Sequence, residues 1–322
     1  MKKIVFTLIL CVAAAAVFAK SEYKREITKT FSTSANPTLV IDSKYGFIKV
    51  IEGTDNQIMF RIEIIGKGSS DKLAKEYAES VSVDFNQQGD NVKAVTSFKN
   101  MSGVNMERTV NYTVVAPKRV KITLDHKYGN ITLGDLIEPL DVDLKYGDIT
   151  AGKTDRANID ISYGKLEIGS CKLLNIDSKY SELALGEIGV LNIDSKYDKV
   201  NINSLDETEL STGYTEVKIG KLNKRIDLSI SYGKLNISEI AVSFEKIQVE
   251  AKYTDVKLAL TPSHSFRANL AVKYGNINTD LKFNNVSVGD KKDKGINGTA
   301  GSNPNPTAIV DVSATYGNIT LK

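Results

Sequence analysis

Tyr128, Tyr146, Tyr163, Tyr180, Tyr197, Tyr214 and Tyr232 recur at intervals of 18, 17, 17, 17, 17 and 18 residues, and Tyr253, Tyr274 and Tyr316 follow at 21, 21 and 42. No other feature limits the fold as tightly. A unit this short holds two or three short strands and cannot bury its own apolar side, whereas stacked units can. Tyr45 carries a distant copy of the motif, IDSKYGFI, 83 residues before Tyr128.

With tyrosine as position zero, position −4 is Val142, Ile159, Ile176, Ile193, Leu210, Leu228, Val249 and Leu270. Position +3 is Ile149, Leu166, Leu183, Val200, Val217, Leu235, Val256 and Ile277. Apolar residues alternate within each run, which is the two-residue period of β structure. The step from zero to +3 breaks the alternation and marks a corner. Position +1 is Gly129, Gly147, Gly164, Gly233, Gly275 or Gly317, and otherwise Ser181, Asp198, Thr215 or Thr254. Glycine is expected there to supply a positive φ. Tyrosine shares parity with positions −4 and −2, so its ring is expected to face inward as a structural ladder.

The expected fold is all-β, a single-stranded parallel β-solenoid with repeats of 17–21 residues. About ten repeats at roughly 4.8 Å each make a rod of about 50 Å. Position +2 supports the register. It reads Asp148, Lys165, Glu182, Lys199, Glu216, Lys234 and Asp255, alternating in sign at every repeat. A slip by one repeat sets like charge against like, so this charge ladder is read as a register device. On the same outward side, Asp143, Asp160, Asp177 and Asp194 form a column at −3, beside Lys145, Lys179, Lys196, Lys252 and Lys273 at −1.

Residues 1–19 read as a signal peptide. Lys2 and Lys3 precede the apolar run Ile4–Phe18, too short to span a bilayer comfortably, and cleavage is expected after Ala19. Leu10 before Cys11 is too bulky for a lipoprotein signal. Losing Lys2 and Lys3 lowers the formal charge from +3 to +1, leaving no basic field for nucleic acid. Cys171 is then the only cysteine, so no internal disulfide is expected. Residues 20–124 read as a β-rich capping region, with strands Gln57–Ile65, Val81–Phe85, Val92–Phe98 and Arg108–Val115 and a short helix over Ser70–Ser80. Residues 125–322 read as the solenoid, with a polar loop thrown out at 289–306 and Tyr316 closing the rod.

Little here points to catalysis. His126 and His264 are the only histidines, and no nucleophile motif accompanies them. The aspartate column suits oxygen-seeking cations, but the lysine column beside it argues against a metal. No cofactor motif occurs. Cys171 falls where other repeats place aliphatics and reads as buried.

The carriers VIDSKYGFIKV (Val40–Val50), VNYTVVAPKRVKITLDHKYGNITL (Val110–Leu133) and the following YG-x-I/L repeats resemble a family of exported bacterial β-strand-repeat proteins described as candidate adhesins, largely of unknown function. The resemblance covers nearly the whole mature chain and implies a right-handed parallel β-helix. It offers no catalytic residues. Positions 181, 198, 215 and 254 depart from it where glycine is replaced. The expected role is a non-catalytic module at the periplasm or cell surface, binding glycan or an envelope protein and carrying no transmembrane segment. A carbohydrate-active β-helix enzyme is the alternative.

Overall fold

The computed structural model describes residues 20–53, 56–101, 106–288 and 293–322. The expected signal peptide, 1–19, and residues 289–292 of the expected loop lie outside them. The described residues are all-β apart from one helix, Asp71–Glu79. Its N-cap Ser70 accepts a hydrogen bond from the Leu73 amide at 3.3 Å, satisfying one of the orphan donors of the first turn. The helix lies so close on strand Gln57–Gly68 that a Cβ at Gly66 would stand 2.1 Å from the Ala74 carbonyl.

Strand Thr38–Lys44 pairs in parallel with both Asn91–Phe98 and Lys121–Lys127. The Tyr45 motif is therefore the first rung of the stack, seated directly on the Tyr128 rung. Around this first rung the N-terminal part also makes antiparallel pairings. Ser21–Ser32 pairs with Gln57–Gly68, which pairs with Glu107–Ala116, and Val81–Gln88 pairs with Asn91–Phe98.

From Lys121 onward, parallel strands stack in the register of the tyrosines. Leu124, Val142, Ile159, Ile176, Ile193, Leu210, Leu228 and Val249 follow one another as paired neighbours. A bulge between Leu205 and Glu207 absorbs the extra residue of the 18-residue step. These columns are buried: Leu140, Leu166, Leu174, Val200, Ile226 and Ile247 are fully inaccessible. Cys171 is buried too, and burial pushes its thiol up from the ordinary value.

The C-terminal end differs from expectation in two ways. Strand Ile309–Thr315 does not close the rod. It lies between Lys246–Lys252 and Phe266–Lys273, parallel to both, so the rungs run Tyr253, Tyr316, Tyr274. The 42-residue interval is a return into the stack, not two further periods. Second, much of the expected loop is strand. Asp293–Ala300 pairs antiparallel with Phe266–Lys273, and Phe283–Val288 pairs with it in turn. The reason is the free edge of Phe266–Lys273, whose backbone groups need partners once Ile309–Thr315 occupies the other side. Among the described residues of that loop, Gly301 to Pro306 is the irregular part.

Candidate functional site

The tyrosines face outward, against expectation. Each adopts a positive φ, from 51° at Tyr253 to 63° at Tyr128, and exposures run from 42% at Tyr45 to 53% at Tyr274. The corner residue is the tyrosine itself, so strand parity ends at −1 and the left-handed residue swings its side chain out. An L-residue there costs roughly 1–2 kcal/mol. Stacking and backbone pairing offset this. Tyr146 N donates to Ser162 O at 3.0 Å, and Tyr163 N to Lys179 O at 3.1 Å.

The rings form one continuous column. Tyr128–Tyr146 centroids are 5.0 Å apart with 2° between planes, Tyr180–Tyr197 4.9 Å and 3°, and Tyr253–Tyr316 and Tyr316–Tyr274 4.8 Å each. Tyr45 joins at 5.3 Å from Tyr128; its IDSKYG copy was the signal that it belongs. Phe98 covers the free face of Tyr45 edge-on at 5.4 Å, and Lys273 Nζ sits 5.6 Å from the Tyr274 centroid. With the ring faces taken up, the column presents edges and hydroxyls, leaving little for sugar stacking.

From Gly129 onward the glycine at +1 is needed for close approach, not for positive φ, whereas Gly46 has both a close approach and a φ of 143°. A Cβ at Gly147 would meet Gly129 O at 1.9 Å, and one at Gly164 would meet Gly147 O at 1.8 Å. The side chain at −2 fills what space remains: Val272 Cγ1 lies 2.8 Å from a Cβ at Gly275. Where +1 is Ser181, Asp198, Thr215 or Thr254, position −2 is the smaller Ser178, Ser195, Thr212 or Ala251. Those corners turn a polar side chain inward. Asp198 is 7% exposed; Ser178 Oγ and Ser195 Oγ each donate to its Oδ2 at 2.7 Å, and Ser181 N donates to its Oδ1 at 2.6 Å.

The charge ladder stands in register, with Lys165, Glu182, Lys199, Glu216, Lys234 and Asp255 each paired to the next. Ion pairing is less regular than the sign pattern suggests. Lys199 Nζ meets Glu182 at 3.1 Å, but Lys165 turns to Glu167 and Glu216 to Lys218 within their own strands. Asp148 accepts from the Lys165 amide at 2.9 Å. Lys199→Glu is expected to lower the melting temperature by a few degrees, since exposed pairs contribute about 0.2–1 kcal/mol. Adding Glu182→Lys and Glu216→Lys should recover part of it in a thermal melt; additive loss would show that the column plays no register role.

The sequence showed the aspartate column at −3 but not the groove it borders. A groove of about 920 Å³ crosses seven rungs, from Thr123–Asp125 to Asp227 and Ser229. Val142, Ile159, Ile176, Ile193 and Leu210 form its floor. One rim is the −3 column. The other, at −5, is an amide ladder in which Asn192, Asn175 and Asn158 donate in turn at 2.8, 2.7 and 2.6 Å, ending on Asp141. The repeated N-I-D triplet was the missed signal. Eight carboxylates and no lysine or arginine line this groove. Asp143 Oδ1 is buried there without a hydrogen-bond partner. Burial, then the neighbouring Asp143 and Asp177, push the Asp160 carboxyl above its ordinary value; its rung has Ser162 where others have lysine. Among the described residues no group of three or more His, Cys, Asp or Glu converges as a metal site.

His126 is fully buried beneath the first glycine corner, with Nε2 3.0 Å from Gly46 O and Nδ1 unpartnered. Burial holds its pKa below 6.5. The unfolded chain therefore takes up this proton first as pH falls. Stability is full above about pH 6.5 and declines below it, until the folded state is protonated as well. Equilibrium unfolding should show this acid-side decline in the native chain and a flatter profile in His126→Leu; equal profiles would count against it. His264 is also buried, 3.0 Å from the Ile240 carbonyl. Neither histidine touches the groove.

The chain matches the Toastrack DUF4097 family over residues 37–322. Among solved structures, a candidate adhesin from Bacteroides fragilis is 12% identical with a TM-score of 0.38, covering 92% of this chain and 97% of its own. A candidate adhesin from Parabacteroides merdae is 12% identical at 0.40, covering 72% and 92%. A candidate lipid-binding protein from Parabacteroides distasonis is 12% identical at 0.32, covering 70% and 95%. No curated protein matches. Among the described residues no helix is long and apolar enough to cross a membrane.

Proposed function

The chain belongs to the Toastrack DUF4097 family, and from that premise we propose that it is an exported, non-catalytic binding module of the cell envelope. It is a right-handed, single-stranded parallel β-helix with turns of 17–21 residues, and its ligand is a glycan or an envelope protein. The observation that carries this reading is the acidic groove. Its chemistry repeats along seven rungs, which suits an elongated partner held at many equivalent points. An enzyme concentrates unlike groups at one point.

Asp160 favours a second reading, a carbohydrate-active enzyme. A carboxyl with a raised pKa in a groove is what a general acid requires. Its neighbours at −3 are further aspartates in the same setting, without a distinct nucleophile or base. Incubation with a glycan array and with envelope polysaccharides separates the two. Retention without release of products, unchanged in Asp160→Asn, is expected. Product release abolished by Asp160→Asn would replace the binding reading with the enzymatic one.

A further inference from the structure

The groove face carries two rails of opposite charge that the chain itself leaves unused. Six strands place an acid at −3 and a lysine at −1, from Asp42/Lys44 to Glu250/Lys252. Their side chains leave the same side of the strand two residues apart, roughly 7 Å, yet they do not pair with each other as Glu216 and Lys218 do at the same spacing. Among the described residues none of these twelve groups joins an ion pair within 4.0 Å. Other surfaces of the stack pair their charges, as in Lys221–Glu239 at 2.8 Å and Lys199–Glu182 at 3.1 Å.

Symmetry gives these rails a use. A two-fold axis along the rod, opposite position −2, brings a second copy face to face with strands reversed. Position −3 of one copy then meets −1 of the other, and −1 meets −3. The same operation sets position zero, the projecting tyrosine column, opposite position −4, the floor of the groove. Both rods have the same repeat along the axis, 4.8–5.0 Å between ring centroids over the regular rungs, so a match at one rung is a match at all. A two-fold axis across the rod would instead set aspartate against aspartate.

We propose that this face is a self-complementary interface through which two copies of the chain dock as parallel rods, tyrosine ridge into acidic groove, lysine rail against aspartate rail. The inference rests on the binding reading above and names the partner of the same site. Each exposed pair contributes only about 0.2–1 kcal/mol, so affinity comes from their number and is sensitive to salt. The repulsion that Asp143 and Asp177 exert on Asp160 is eased by the ammonium groups that face those two carboxylates.

Sedimentation velocity on the exported chain tests this. Dimer is expected at low salt, weakening by more than about tenfold near 1 M salt, where the Debye length is roughly 3 Å. An all-acidic face (Lys145→Asp, Lys179→Asp, Lys196→Asp) and an all-basic face (Asp143→Lys, Asp177→Lys, Asp194→Lys) should each be monomeric, with native circular dichroism because none of the six side chains belongs to the apolar core. Their equimolar mixture should form a heterodimer. Monomeric native chain at low salt, or face variants that dimerise as well as the native chain, would overturn the proposal. Glycan retention by a chain that stays monomeric would remove this inference and leave the binding reading standing.

Discussion

A chain ending at Ala308 is expected to lose the order of the C-terminal rungs of its stack. Strand Ile309–Thr315 is the filling between two rungs, so its removal leaves Lys246–Lys252 and Phe266–Lys273 two strand spacings apart. Tyr253 N loses its acceptor Thr315 O at 2.8 Å, and Tyr316 N no longer donates to Lys273 O at 2.9 Å. Val310, Val312, Ile319 and Leu321, all fully buried, go with it. At about 1.5–3 kcal/mol each, four such side chains amount to roughly 6–12 kcal/mol, comparable to the entire stability of an ordinary domain. Stability in a stack is local to neighbouring rungs, so the loss should stay at this end. Hydrogen exchange should show Lys246–Lys273 unprotected while the Tyr146 to Tyr197 rungs keep their protection. Unchanged protection over Phe266–Lys273 would mean that the Tyr316 rung does not lie between its neighbours.

Gly164→Ala should be among the most damaging single substitutions at the corners. The added methyl would lie 1.8 Å from Gly147 O, an overlap that only a backbone shift can relieve. The expected cost is about 3 kcal/mol or more, in the upper tail for point substitutions, or roughly 5 °C in Tm for a chain of this size. The Tyr180 rung suggests a rescue, because Ser178 and Ser181 there form a working corner. Ile161→Ser with Gly164→Ser should cost less than the two single changes summed, a coupling readable in a double-mutant cycle. Additive costs would show that −2 and +1 do not share the same space.

The sequence-level reading succeeded wherever a column of like residues had to meet its copies. The aliphatic −4 and +3 columns and the signs at +2 are neighbour relations, and neighbours one repeat apart stay neighbours in the stack. It failed where position along the chain was taken for position in space. Tyr316 carries the same motif as Tyr274, and nothing in the motif says which of them pairs with the Tyr253 rung. It failed again at the tyrosine. Parity is a property of an extended strand, and counting through Lys179 to Tyr180 carried it across a left-handed residue. The groove went unnoticed for a different reason. Asn158, Asn175 and Asn192 look like ordinary surface residues one at a time, and only stacking turns them into a rim. The pairing of small −2 with non-glycine +1 residues was visible in the letters, but its meaning depended on knowing that the corner is closed by backbone.

The outward tyrosine column underlies both the groove face and its docking, and mild nitration of the native chain tests it directly. Nitration occurs at the ring carbon beside the hydroxyl, on the edge that stacking leaves open. Peptide mass spectrometry should find the ladder from Tyr128 to Tyr316 modified, along with Tyr45. Tyr112, fully buried and with its hydroxyl 2.6 Å from Thr96 Oγ1, should remain unmodified until the chain unfolds. A ladder protected to the same degree as Tyr112 would place the rings in the core and contradict the account.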